Sequence, residues 1–103
     1  MSGNTTQIQP LSYGKVLTAA SVQVIGPNPT RAALTMHNPN AIYSIWVAPI
    51  GTTAAPNGAG SFQIFPGADR DFNGAKNATC GWNACMDAGQ TGNMSILEWP
   101  SNP

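Results

Sequence analysis

Arg31-Ala32-Ala33-Leu34-Thr35-Met36-His37-Asn38-Pro39-Asn40-Ala41-Ile42-Tyr43-Ser44-Ile45-Trp46-Val47 is the stretch that decides the fold class. In its first half Ala32, Leu34 and Met36 fall on one side of an extended segment, and Arg31, Ala33, Thr35 and His37 on the other. That period of two is the pattern of a strand lying on a core. After Asn38-Pro39-Asn40 a second run sets Tyr43, Ile45 and Val47 against Ile42, Ser44 and Trp46. Both of its faces carry apolar side chains, which predicts a central strand or one covered by a neighbouring subunit. Asn and Pro favour chain reversal, so the two runs are expected to pair as a β-hairpin.

Working outward, the same style repeats. Lys15 to Ile25 holds one strand, with Val22 and Val24 on one face, and Gly26-Pro27-Asn28-Pro29 stops it. Ser61 to Phe65 alternates with Phe62 and Ile64 inward, Ala78 to Met86 forms a strand or hairpin around Trp82, and Asn93 to Trp99 is the final strand. Pro49 to Gly60 has no periodicity and is long for a hairpin loop, so it is either mobile or a binding loop. Asp69-Arg70-Asp71 reads as an exposed turn. No stretch keeps helical spacing over ten residues. The expected fold is all-β, a small antiparallel β-sandwich or barrel, jelly-roll-like, spanning residues 15–100. Residues 1–14, with Ile8, Leu11 and Tyr13, form an extended N-terminal arm that needs a surface to lie on, or a frayed terminus, and residues 101–103 form a tail.

Composition limits the task. Of 103 residues 42% are apolar and only 8% charged, with zero formal net charge, against a usual charged fraction of about 25%. Apolar content argues against disorder. Lys15, Arg31, Arg70 and Lys76 are scattered, so nucleic acid is not an expected partner. A surface this poor in charge is weakly protected against self-association, which suits a chain packed against other protein. The polar N-terminus lacks the apolar core of a signal peptide, and no apolar run approaches membrane-spanning length. Synthesis in a cytoplasm is expected, with no membrane partner.

Catalytic chemistry has little to work with. His37 is the one candidate base, and it sits on the less apolar face of its strand. Asp69 and Asp71 flank Arg70, and Glu98 has no evident partner. Cys80 and Cys85, in C-x4-C spacing, are too few and too far apart for a structural zinc site. Free buried thiols are expected, a disulfide being conceivable only if residues 81–84 form a tight loop. No enzyme, cofactor or metal is anticipated. Trp46, Trp82 and Trp99 are read as core or subunit-interface residues, with a sugar-stacking role as the alternative.

Arg31-x-x-Leu34-x-x-x-Asn38, then Ile42–Val47, a Gly/Ala loop, Phe65-Pro66-Gly67 and the closing strand together resemble small β-rich virion accessory proteins of tailed bacteriophages. The resemblance covers most of residues 31–99. It implies a capsid cement or decoration protein on the virion surface. Such a protein would bind the major capsid protein or another virion protein as a homo-oligomer, commonly a trimer, and carry no catalytic residues. A tail or fibre component, or a glycan-binding adhesin module, is the alternative. Ile8, Leu11, Tyr13, Tyr43 and Trp46 are the expected protein-interface residues.

Overall fold

The computed structural model describes residues 10–73 and 78–100. Among them are eight strands: β1 (Leu11–Leu17), β2 (Val22–Ile25), β3 (Arg31–His37), β4 (Ile45–Pro49), β5 (Phe62–Ile64), β6 (Asp69–Asn73), β7 (Trp82–Met86) and β8 (Gly92–Pro100). They make two four-stranded sheets, ordered β1-β8-β3-β6 and β2-β7-β4-β5, and every pairing is antiparallel. Strands β1 and β8, β2 and β7, β3 and β6, and β4 and β5 are partners. This nesting of four antiparallel pairs over two sheets is the jelly roll. The all-β sandwich expected from the sequence is therefore the fold, and its barrel alternative is not.

The core lies between the sheets. Leu17, Leu34, Met36, Met94 and Ile96 from the first sheet meet Val24, Ile45, Val47, Ile64, Ala84 and Met86 from the second. Phe72 packs on Trp82 with ring centroids 4.4 Å apart. Removing a buried Leu34 or Ile45 side chain to Ala costs about 2–5 kcal/mol in such an interior.

The hairpin expected across Asn38-Pro39-Asn40 does not form. β3 lies in one sheet and β4 in the other, so the tripeptide is a corner between sheets. Asn38 explains why. It is fully buried, and its Nδ2 donates to the carbonyls of Tyr43 and Ile64 at 2.9 Å each. Its Oδ1 accepts from the Asn40 backbone N–H at 2.9 Å and from Asn40 Nδ2 at 2.8 Å. Its backbone exchanges hydrogen bonds with Ala68 and Gly67. One side chain thereby ties the β3–β4 corner to the β5–β6 corner, with the backbone groups of a buried turn paired as they must be.

Three further expectations are corrected. The segment from Lys15 to Ile25 is two strands in different sheets, not one. Asp69-Arg70-Asp71 is not a turn but the start of edge strand β6, a position where charged side chains stay hydrated and discourage further pairing. Of the residues read as an arm, Leu11 to Gly14 are extended but belong to β1, paired with β8; Ile8 lies outside the described residues.

Candidate functional site

The second sheet's outer face is closed by the chain itself. Trp46 and Ala48 of β4 and Cys85 of β7 point away from the core and form a separate buried cluster with Ala54 of the β4–β5 loop. That loop is held in place: Asn83 Nδ2 donates to the Thr52 carbonyl at 2.9 Å, and the Ala54 N–H donates to Ser21 Oγ at 3.0 Å. Trp46 Nε1 donates to Asp87 Oδ1 at 2.7 Å, and the other carboxylate oxygen accepts from the Ser44 N–H at 2.8 Å. The loop read as mobile or ligand-binding is thus a lid on the sheet. It supplies the cover that the sequence allowed a neighbouring subunit to give.

The first sheet's outer face has no such cover among the described residues. Because Leu34, Met36, Met94 and Ile96 point inward, the register places their neighbours outward in three rungs that cross β8, β3 and β6, and a fourth of Asn93 and Val16 alone. Trp99, Ala33 and Asn73 form the first; Ser12, Leu97, Thr35 and Asp71 the second; Gly14, Ser95, His37 and Asp69 the third. Trp99 is 37% exposed, whereas Trp46 and Trp82 are 7% and 6% exposed. Thr35 Oγ1 donates to Asp71 Oδ1 at 2.7 Å, and His37 Nδ1 bonds Asp69 Oδ1. Two carboxylates, a hydroxyl, an amide and an imidazole therefore share one face with an accessible indole.

Below this face, an ionic cluster anchors the end of β8. A register shift in β3 between Arg31 and Ala33 turns Arg31 inward, against the alternation, and leaves it 4% exposed. Arg31 Nε donates to Glu98 Oε1 at 2.8 Å, and its terminal nitrogens donate to the carbonyls of Gly26, Ala78 and Cys80. Tyr13 donates its hydroxyl to Glu98 Oε2 at 2.5 Å. Burial, reinforced by that bond to Glu98, pushes the Tyr13 phenol well above its usual value. Glu98, which had no visible partner in the sequence, has two, and its immobilised strand carries Trp99 at the next position.

At the open edge where β5 meets β6, residues 63–65 and 68–71 line a groove of about 440 Å³. Phe62 and Phe65 flank it, 45% and 60% exposed, with the Arg70 guanidinium 5.2 Å from the Phe62 ring centroid. Phe62 is on the inward side as expected, but its edge position leaves it accessible.

The other expected interface residues are dispersed. Leu11 is 61% exposed on β1 and Tyr43 sits 38% exposed in the β3–β4 corner. Tyr13 is half-buried with its hydroxyl engaged, and Trp46 is buried under the β4–β5 loop. Cys80 and Cys85 are free thiols, and burial, with a smaller push from Asp87, raises that of Cys85. The contributions of Thr35, Asn73 and the Asp69–His37 pair to one face were not visible from the sequence, because they depend on β6 pairing with β3.

No family model and no curated protein matches the chain. Among solved structures it is similar to the stem and receptor-binding domain of the spike protein P1 from bacteriophage PM2. The TM-score is 0.57 and the sequence identity 18%, over 84% of this chain and 32% of that one, so the chain spans about a third of the spike's length. A second similarity, to a pilus protein of Bacillus endospore appendages, has a TM-score of 0.46 and 10% identity, over 99% of this chain and 98% of the other. At these identities the spike comparison bears on the fold, where it agrees with the jelly roll.

Proposed function

We propose that the chain is a structural module of a bacteriophage virion, of the spike or fibre type, that holds the outer face of its β1-β8-β3-β6 sheet toward the host. The observation that carries this reading is the asymmetry of the two sheets. One outer face is sealed by the chain's own loop, while the other exposes Trp99 among hydrogen-bonding side chains. A rigid sandwich with 8% charged residues suits assembly into a larger particle. The jelly roll shared with a phage spike's stem and receptor-binding domain supports the same class. The chain binds rather than transforms its partner, and assembles as a homo-oligomer, with a trimer favoured.

A second reading, capsid cement, is favoured by β1. This seven-residue edge strand leaves Leu11 and Val16 61% and 76% exposed and can accept a strand from a shell protein. Immunogold labelling of purified particles separates the two. Label confined to protrusions supports the spike reading; label spread evenly over the shell supports cement; a chain absent from particles ends both.

A further inference from the structure

The uncovered face has a chemical character that narrows what it can hold. Trp99 and Asn73 stand on the same rung with only the methyl of Ala33 between them. With adjacent strands about 4.8 Å apart, their backbones are separated by roughly 10 Å, and a second rung follows about 7 Å along the strands. An exposed indole stands at one end of this rung and an amide at the other, a spacing that one pyranose ring with its hydroxyls can span, and the Thr35–Asp71 pair occupies the next rung.

We infer that this face is a platform for a neutral hexopyranose, with Trp99 as the stacking surface and Asp71, Asn73 and Thr35 as the hydroxyl-recognising groups; the inference deepens the host-facing reading and rests on it. The C–H face of a pyranose is apolar and slightly positive, and complements the negative face of an indole. A carboxylate accepts up to about four hydrogen bonds, and Thr35 supplies one to Asp71. The remaining capacity fits a pair of vicinal hydroxyls.

Charge sets the class of sugar. Among the described residues, Asp69 and Asp71 share the face with His37, and no Lys or Arg does. Arg31 is turned inward onto Glu98, Arg70 lies over Phe62, and Lys15 lies on the Tyr13 side of β1. Sialic or uronic acids would bring a carboxylate against two others, with no Lys or Arg among the described residues of that face to receive it. An apolar protein surface would strand the same carboxylates without water.

The test is binding of the chain, biotinylated and tetramerised on streptavidin, to an array of immobilised oligosaccharides. The array holds neutral gluco-, galacto- and manno-configured oligosaccharides and matched sialylated and uronate-bearing ones. The structure predicts binding to at least one neutral ligand and none to its acidic counterpart. Trp99→Ala lowers that binding by about ten-fold or more. Trp99→Phe, which keeps an aromatic on the strand, loses less. Asp71→Asn weakens binding while the thermal midpoint stays close to wild type, which separates recognition from folding.

Binding confined to acidic glycans overturns the proposal. So does undiminished binding by both Trp99 variants, or a dimer that shields Trp99 as concentration rises. An array without signal, from a chain that labels particle protrusions, overturns the platform and leaves the host-facing reading standing. A chain that binds neutral glycans through Trp99 but is absent from particles overturns that reading and keeps the platform.

Discussion

Arg31 enters the interior because the strand that carries it slips by one residue. Alternation alone assigned it outward, on the side of Thr35 and His37, and a bulge leaves no mark in the sequence. Once inside, it is the counter-charge of Glu98, with side chains 3% and 14% exposed. Removing one partner of such a pair strands the other, so Arg31→Ala is expected to cost about 3–5 kcal/mol in urea unfolding. Tyr13 adds a pH dependence. Its folded phenol holds a proton more tightly than the unfolded one, whose value is near 10.0. The stability this contributes is complete below pH 10 and is lost as pH rises through the folded value, because the unfolded chain ionises first. Tyr13→Phe is expected to cost about 1.5 kcal/mol at neutral pH through the lost bond to Glu98. The wild-type advantage then shrinks above pH 10, read from unfolding midpoints across the alkaline range.

The strands were legible and their partners were not. β3, β4 and β8 were each recognised from alternation, yet the pairing inferred for β3 with β4 failed, because a turn signal says that the chain reverses and not which sheet it re-enters. The deciding contact is Asn38, whose side-chain partners Tyr43 and Ile64 are 5 and 26 residues away. Asn38→Ala removes four side-chain hydrogen bonds and leaves the Tyr43 and Ile64 carbonyls without that donor. A loss of at least about 3 kcal/mol is expected in thermal or urea unfolding, more than for Asn40→Ala at the partly solvated side of the same corner. β6 was missed for a related reason: its charges resemble a turn until an edge position explains them. The double apolar character of β4 pointed to a central strand or one covered by a neighbouring subunit, and β4 is central, between β7 and β5. What covers it, a loop of Gly, Ala, Thr and Pro with no periodicity of its own, could not be read.

At the scale of the molecule, period-two patterning and frequent turns were enough for an all-β sandwich, because two sheets must bury one face each against the other. The face that remains open depends on long-range register, and so the candidate site emerged only from the assembled sheets. Of the three tryptophans, the structure makes Trp99 the one accessible to an aqueous quencher. In the free protein, acrylamide is expected to quench one fluorescence component, and Trp99→Phe to remove it, leaving Trp46 and Trp82 shielded. On the virion the same residue reports which way the domain faces. The decisive measurement is hydroxyl-radical footprinting of Trp99, read by mass spectrometry, in the free chain and on intact purified particles. A host-facing module keeps Trp99 oxidised at a similar rate in both states, while Leu11, which alternation sets on the opposite side of β1 from that face, becomes protected by assembly. Protection of Trp99 on the particle to the level of Trp46 would mean that the open sheet is the surface glued to the shell, and would contradict the account.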